Sequence, residues 1–422
     1  MDLHSRPSGP LQGTVAAPPS KSITHRAIIL ASLGEGRSRI RNPLLSGDTR
    51  STLKAASLMG AVHREGEVLT IDPDLHQATD VINADNSGTT ARLFSSVCAL
   101  LPGYAVITGD ESLRSRPMEP IIRAVRQLGG KAFSTEGNGH LPAVFGGRMY
   151  RDHASLQGDI SSQFASSLAI SCPLKEDDTE IRLTGSIQSQ AYLRLTTEMV
   201  EMFGCRSVLD GSTLYCTGGS NYRGRSVTIP GDFSSASFLL AAAALTGGEV
   251  EVKGLHNGLT QADSRIVDVL ELYGCRVKSR AGSVSVSQGT LEGTAVDCTS
   301  SPDLFPVVCI LAAGAKGRSV VKGNKNLRFK ETDRIRTTCE MLKSLGIRSR
   351  ADGETLTIDG GSIRGGHVES HGDHRIVMAS CIAGLASVSP EGCTVTDGHA
   401  YSVSYPSFVR DITSLGGRVE VS

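Results

Sequence analysis

The chain has 422 residues, 39% of them hydrophobic, and its 43 basic residues balance 43 acidic ones to a formal net charge of zero. That length exceeds one simple core and predicts two or three domains. The balance excludes a protein held to nucleic acid mainly by phosphate attraction, although one basic cleft fits inside a neutral total.

The ten cysteines are dispersed and form no C-x-x-C pair. Several sit in apolar runs such as Val307-Val308-Cys309-Ile310, and they read as reduced, buried thiols of a cytoplasmic protein. The opening residues Met1 to Pro7 carry no apolar signal core, and apolar runs such as Phe238 to Leu245 fall short of the roughly 18 residues a membrane span needs. A soluble protein is expected.

In chain order, the first predicted element is the helix entered through Pro18-Pro19-Ser20-Lys21-Ser22-Ile23-Thr24-His25-Arg26. The prolines bias the chain against helix, and hydroxyl residues that favour an N-cap then lead into Ala27-Ile28-Ile29-Leu30-Ala31. Such a start offers unpaired N–H groups and the positive end of a dipole, with Lys21 and Arg26 beside it. It reads either as an anion cradle after a hinge or as an ordinary capped helix with two solvated cations.

A unit of apolar helix, glycine and alternating strand then recurs, the glycines being Gly60, Gly129, Gly204, Gly274, Gly346 and Gly416. Each stands where a left-handed residue ends a helix, and a spacing of about 70 residues implies about six copies of one supersecondary unit. A second, small-residue helix class interleaves, its members starting near Ser22, Thr89, Ser162, Ser235, Asp303 and Asp373. Phe238-Leu239-Leu240-Ala241-Ala242-Ala243-Ala244 has almost no polar face, which predicts burial on all sides. An α/β protein follows, with small-residue helices inside and strands outside. A solenoid is the alternative, disfavoured by the long repeat and the lack of capping units.

Ile229-Pro230-Gly231-Asp232 resembles Pro18-Pro19-Ser20 as a proline-marked entry to a buried helix, and three glycine units lie on each side of it. The expected domains are residues 19–229, and residues 1–18 together with 230–422, with hinges near 18–20 and 229–232.

Several stretches carry candidate chemistry. Asp85-Asn86-Ser87-Gly88-Thr89-Thr90-Ala91-Arg92 is a glycine-containing turn into a helix. Leu113-Arg114-Ser115-Arg116-Pro117-Met118 sets two arginines before a proline-initiated helix, suited to bidentate binding of carboxylate or phosphate and equally to a solvated loop. Asp159-Ile160-Ser161-Ser162-Gln163-Phe164 is a hydroxyl-rich helix start that a plain N-cap explains almost as well. In Asn326-Leu327-Arg328-Phe329-Lys330-Glu331-Thr332-Asp333-Arg334-Ile335-Arg336, helical spacing puts Lys330 and Glu331 each on a face with Arg334. A solvated helix face is the rival reading there. His371-Gly372-Asp373-His374-Arg375 opens the last buried helix, but no third ligand with metal-site spacing accompanies its histidines, so no metal is expected. No G-x-x-x-x-G-K-[ST], G-x-S-x-G or H-E-x-x-H occurs.

Taken together, Pro19-Ser20-Lys21-Ser22 with Arg26, Asn86 to Arg92, Arg116-Pro117, Ser161-Ser162-Gln163, Gly231-Asp232 with Ser234-Ser235-Ala236-Ser237, Lys330-Glu331-Thr332-Asp333-Arg334 and Asp373-His374-Arg375 closely resemble the EPSP synthase family of enolpyruvyl transferases. The motifs keep family order over nearly the whole chain. The resemblance implies a two-domain inside-out α/β barrel, each domain holding three βαβαββ repeats with pseudo-threefold symmetry, and a cleft that closes on substrate. It implies transfer of the enolpyruvyl group of phosphoenolpyruvate to the 5-hydroxyl of shikimate 3-phosphate, with no metal or organic cofactor, no nucleic-acid or membrane partner, and a monomeric state.

Carried over by position, the resemblance assigns Lys21, Ser22, Arg26, Ser161, Ser162, Gln163, Ser189, Tyr192, Asp303, Asn326 and Lys330 to shikimate 3-phosphate. It assigns Lys21, Gly88, Arg116, Gln163, Arg334 and Arg375 to phosphoenolpyruvate, and Asp303, Glu331, Lys21 and Lys330 to catalysis. One departure is Val403 in Tyr401-Ser402-Val403-Ser404-Tyr405-Pro406, where many family members carry a lysine; the expectation is either weaker phosphoenolpyruvate binding or another cation such as Arg328 in that role. The rivals are the sister transferase acting on UDP-N-acetylglucosamine, whose common cysteine is missing between Asp110 and Met118, a non-catalytic scaffold, and a nucleic-acid-end enzyme on a related repeat fold.

Overall fold

All six glycines that end the recurring helices lie at positive φ, from 76° at Gly346 to 104° at Gly60. At each, two backbone bonds close the helix: the N–H of Gly60 reaches Ser57 O and that of Ala61 reaches Ala56 O. The same pair recurs at Gly129, Gly204, Gly274, Gly346 and Gly416. A side chain at Gly60 would put its Cβ 1.7 Å from Asp74 O, so both conformation and space require glycine there.

The computed structural model describes every residue except 186–188, 257 and 288. The chain divides into two compact units, Pro19–Ile229 on the one hand and Met1–Pro18 with Pro230–Ser422 on the other.

The Pro19–Ile229 unit contains helices α1 (Lys21–Ser32), α2 (Gly47–Leu58), α3 (Gly88–Cys98), α4 (Glu111–Arg114), α5 (Glu119–Gln127), α6 (Ser162–Ser171) and α7 (Gln190–Met202). Its strands form three four-stranded sheets, one of which runs Ser226–Thr228, Ser38–Arg41, Val68–Asp72, Val62–Arg64. The first pair in that order is parallel and the next two antiparallel, and the same pattern holds in the other two sheets. Because the last strand of the unit pairs beside its first, the unit closes on itself rather than running on as a solenoid.

The second unit contains α8 (Phe233–Thr246), α9 (Ile266–Leu272), α10 (Phe305–Gly314), α11 (Arg334–Ser344), α12 (His374–Leu385) and α13 (Phe408–Ser414). It repeats the parallel–antiparallel–antiparallel pattern in three more sheets. Here the N-terminal strands complete the set: Gln12–Ala16 pairs with Glu249–Leu255, and Leu3–Arg6 lies between Cys393–Val395 and Arg418–Val421. The arrangement is a mixed-sheet α/β fold.

The two helix classes separate by burial. Every residue of α12 is buried, as is α8 from Phe233 to Ala244, in keeping with their small-residue composition. The glycine-terminated helices bury one stripe: in α5, Ile121, Ile122, Ala124 and Val125 are inside while Arg123 and Arg126 face water. Strands alternate, as in the buried–exposed rhythm of Thr179–Thr184. Among the described residues no helix is long and apolar enough to cross a membrane.

Local expectations shift in two places. Lys330 is extended and does not lie on a helix; Asp333 accepts the N–H groups of Ile335 and Arg336, so α11 begins only at Arg334. Asp303 lies in a 3-10 turn, Pro302–Leu304, that runs directly into α10.

Candidate functional site

In the Pro19–Ile229 unit, the starts of α1, α3 and α6 carry the candidate groups. Lys21 donates to Asp48 Oδ2 at 2.9 Å, from the first turn of α1 to the first turn of α2. Arg26 is almost completely buried, and its hydrogen bonds go to neutral acceptors: Thr196 Oγ1 at 2.7 Å, Ser22 O at 2.9 Å and Tyr192 O at 3.2 Å. Burial pulls its pKa down to about 10. Arg116 is likewise buried, donating to Asn86 Oδ1 at 2.8 Å and Ser112 Oγ at 3.1 Å, with Nε lacking a partner among the described residues. A guanidinium held away from water without a carboxylate gains most from an incoming anion.

Gly88, the first residue of α3, lets these cations approach the helix tip. A Cβ there would come 3.2 Å from Arg116 Nη1 and 3.8 Å from Arg92 Nη1. Ser87 caps the helix by accepting from Thr90 N. Gln163 in the first turn of α6 bridges the tips, accepting from Arg92 at 2.9 Å and donating to Thr89 Oγ1 at 2.9 Å. Ser161 caps α6, and Ser162 is buried beside it. Ser189, at φ 53°, precedes α7 with a buried Oγ that has no hydrogen-bond partner among the described residues. Tyr192 contributes its carbonyl to Arg26. Beneath these groups, His25 Nδ1 meets Thr52 Oγ1 at 2.6 Å, and the hydroxyl chain continues to Thr90 and Ser87. Burial, with Lys21 and Arg26 nearby, holds the imidazole pKa well below its usual value.

In the second unit the candidates form a cluster of ion pairs. Arg334 is 1% exposed and donates to Asp373 Oδ2 at 2.8 Å, Asp303 Oδ1 at 2.8 Å, Glu331 Oε2 at 2.6 Å and Asp373 Oδ1 at 3.2 Å. Those carboxylates drive its pKa upward against the opposing effect of burial. Among the described residues four of its five N–H groups are thus committed, leaving one for a ligand. Asp303 also accepts from Lys330 Nζ at 3.2 Å and pairs with Arg375 Nη2 at 3.2 Å, while Arg375 Nη1 bonds the Asp303 carbonyl at 3.0 Å. Asn326 is buried in the 3-10 turn Lys325–Phe329. Arg328 is engaged elsewhere, with Asp333 Oδ2 at 3.0 Å and Gly353 O at 2.8 Å, and Val403 ends the turn Gly398–Val403.

Each unit therefore gathers its share of the expected residues at the tips of its buried helices. The reading of Lys330 to Arg336 as a solvated face fails for Arg334, which is a buried hub. Sequence reasoning gave no role to Asp48, Arg92 or Asp373. Asp373 was visible as part of Asp-His-Arg, and Arg92 as the end of its motif; Asp48 stands in an unremarkable polar stretch and gave no signal.

A protein whose buried helix tips present cations beside carboxylates is, by class, an enzyme built to handle anionic metabolites. The comparisons are specific within that class. The family profile described as EPSP synthase (3-phosphoshikimate 1-carboxyvinyltransferase) matches residues 5–412. A 3-phosphoshikimate 1-carboxyvinyltransferase of Methanothermobacter thermautotrophicus is 41% identical over 426 residues, covering 100% of both chains. One from Methanothrix thermoacetophila is 42% identical over 98% of both. A solved EPSP synthase from Acinetobacter baumannii superposes with a TM-score of 0.84 at 28% identity, covering 100% of this chain and 99% of that one. The chain belongs to the EPSP synthase family.

Proposed function

We propose that this chain transfers the enolpyruvyl group of phosphoenolpyruvate to the 5-hydroxyl of shikimate 3-phosphate, releasing phosphate and forming 5-enolpyruvylshikimate 3-phosphate, a step of the shikimate pathway. The observation that carries the reading is Asp303, a carboxylate held by Lys330, Arg334 and Arg375, within a family whose named members are 3-phosphoshikimate 1-carboxyvinyltransferases.

The chemistry needs three things from these side chains. Two multiply charged anions must be neutralised, which Lys21, Arg26, Arg116 and Arg375 serve, with Arg334 adding charge and one N–H. The 5-hydroxyl must lose its proton as its oxygen attacks C2 of the enol phosphate; Asp303 accepts that proton, with Lys330 and Asn326 orienting the hydroxyl. The methylene must gain a proton as the tetrahedral intermediate forms and lose it as phosphate departs, a role for Glu331 with Lys21. Each such transfer contributes about 10²–10⁴-fold. Ser161, Ser162 and Ser189 cradle the 3-phosphate, Ser22 and Arg26 hold shikimate 3-phosphate, Tyr192 lies against the ring, Gln163 contacts both substrates, and Gly88 leaves room for phosphoenolpyruvate beside Arg116. The buried settings of Arg26 and Arg116, whose hydrogen bonds among the described residues go to neutral acceptors, support the anion assignments.

The fold reading is the inside-out α/β barrel, with three βαβαββ repeats in residues 19–229 and three in residues 1–18 plus 230–422, joined by hinges near 18–20 and 229–232. The six equivalent sheets and the division at Pro18 and Ile229 support it. The enzyme acts as a cytoplasmic monomer in this reading.

The test is phosphate release from phosphoenolpyruvate with shikimate 3-phosphate as acceptor, repeated with UDP-N-acetylglucosamine. Turnover is expected with the first acceptor alone; turnover only with the second, or with neither, refutes the reading.

A further inference from the structure

Away from the helix tips of the Pro19–Ile229 unit, a cavity of about 700 Å3 lies where the end of α5 meets the solvent face of a sheet. That sheet contains the strands Tyr104–Thr108, Ala143–Gly146 and Lys131–Ser134. Three rings line the cavity, Tyr150 at 64% exposed, Tyr104 at 56% and Phe133 at 51%, the most exposed aromatic side chains among the described residues. Three cations line it too, Arg126, Lys131 and Arg151. Among the described residues their side chains make no ion pair or hydrogen bond, and no carboxylate joins the lining. Acids close in sequence are engaged elsewhere: Asp152 with His153 at 2.9 Å and Glu119 with Arg123 at 2.6 Å.

Strand register produces the gathering. Tyr104 pairs with Gly146 and Gly146 with Lys131, and in the next row of the same face Phe133 pairs with Val144. Gly146 sets no side chain between Tyr104 and Lys131. The third ring comes from the segment after the sheet, where the N–H groups of Tyr150 and Arg151 both donate to Leu128 O at 2.9 Å. A Cβ at Gly129 would lie 2.6 Å from Tyr150 Cε1, so the ring rests against that glycine. The Arg151 guanidinium stands 5.7 Å from the ring centroid. A repeat of the second unit shows what the fold makes without these residues. Its groove beside α11, of about 760 Å3, carries the matching row Arg318–Asp359–Arg348. There Asp359 pairs with Arg318 at 2.8 Å, Glu340 adds a second carboxylate, and no ring lines the groove among the described residues. The groove thus belongs to the repeat, and the rings with their unmatched cations belong to this copy.

We infer that the cavity lined by Tyr104, Phe133, Tyr150, Arg126, Lys131 and Arg151 binds a free nucleoside triphosphate, its base stacked on the rings and its phosphates against the cations. Charge selects this class: three cations without a carboxylate match a polyphosphate, whereas a single carboxylate would leave two of them unmatched. The exposed rings offer stacking to any flat heterocycle. The volume falls within the range of about 300–1,000 Å3 usual for small-molecule sites. A strand of RNA would use the same stacking and phosphate chemistry, but a chain of zero net charge offers little of the attraction that holds a long polyanion. None of the six residues has a role in the transfer chemistry, so nucleotide binding and turnover are separable.

The experiment is competition binding, read by the anisotropy of ATP carrying a fluorescent group on its ribose. Saturable binding of ATP is expected below about 1 mM. Adenosine and inorganic tripolyphosphate compete at least about fivefold less well, since one keeps only the rings and the other only the cations. Lys131→Glu weakens ATP binding about tenfold or more and Tyr150→Ser about fivefold or more, with turnover unchanged in both. Arg348→Glu, the matching change in the second groove, leaves ATP binding as it was. No saturable ATP binding by the wild type overturns the proposal, a result that needs no variant to fold. Unchanged ATP binding in Lys131→Glu and Tyr150→Ser overturns it too. Tripolyphosphate binding as tightly as ATP removes the rings from the site, and displacement of ATP by an equal concentration of phosphoenolpyruvate moves the nucleotide to the transfer site; either overturns the assignment. So does single-stranded oligoadenylate binding more tightly than ATP at the same salt, which makes a strand the occupant. Absence of turnover in the wild type would instead refute the transfer reading, and the binding results would still decide the cavity.

Discussion

Replacing Arg334 by Met tests whether the buried hub holds its unit together. Met keeps the bulk of the stem and removes four charge-assisted bonds of 2.6–3.2 Å. The loss falls unevenly. Asp303 retains Lys330 and Arg375, and Glu331 is a fifth exposed, whereas the Asp373 side chain is 0% exposed. Leaving one such carboxylate unpaired costs about 3–5 kcal/mol. In a unit of roughly 200 residues each kcal/mol lowers Tm by about 2–4 °C, so a drop of about 6–20 °C is expected. Calorimetric melting measures it. Asp373→Asn in the Arg334→Met background removes the stranded charge while Asn still caps α12, so the double variant melts above the single one. An Arg334→Met melt within about 1 kcal/mol of the wild type, or a double variant less stable than the single, would refute the hub.

Asp303→Ala should lower turnover about 10²–10⁴-fold while phosphoenolpyruvate binding, followed by calorimetry, stays measurable; unchanged turnover removes the base assignment. Arg26→Met should raise KM for shikimate 3-phosphate about tenfold or more, the scale of one or two lost charged hydrogen bonds at 1.5–3 kcal/mol, and leave KM for phosphoenolpyruvate within about twofold. His25 makes stability depend on pH in a definite direction. Its folded pKa lies well below the model-compound value of 6.5, so the unfolded chain binds the proton first. Stability is full above pH 6.5 and falls by up to about 1.4 kcal/mol per unit below it. Urea titrations at pH 7 and 5.5 measure the slope, and His25→Gln should flatten it.

The repeat was legible because backbone geometry enforces it: a glycine is needed wherever the chain turns left-handed after a helix, and small residues are needed where helices are buried all round. Helix tips were legible where capping residues mark them, as at Asp232 and Asp373. The ion-pair cluster was not. Lys330, Glu331 and Arg334 look like a surface run because neighbours in sequence say nothing of Asp303 and Asp373, which arrive from other repeats and turn Arg334 from an exposed-looking charge into a buried one.

The strand order carries a consequence for synthesis. The Leu3–Arg6 strand is made before both of its neighbours, Cys393–Val395 and Arg418–Val421. The Pro19–Ile229 unit can close its own sheets as soon as residue 228 emerges, while the leading segment waits as an unpaired strand through most of translation. On the ribosome the two units therefore mature in a fixed order, and the segment carrying Leu3–Arg6 is the stretch most open to chaperones, proteases and mispairing until its partner strands are made.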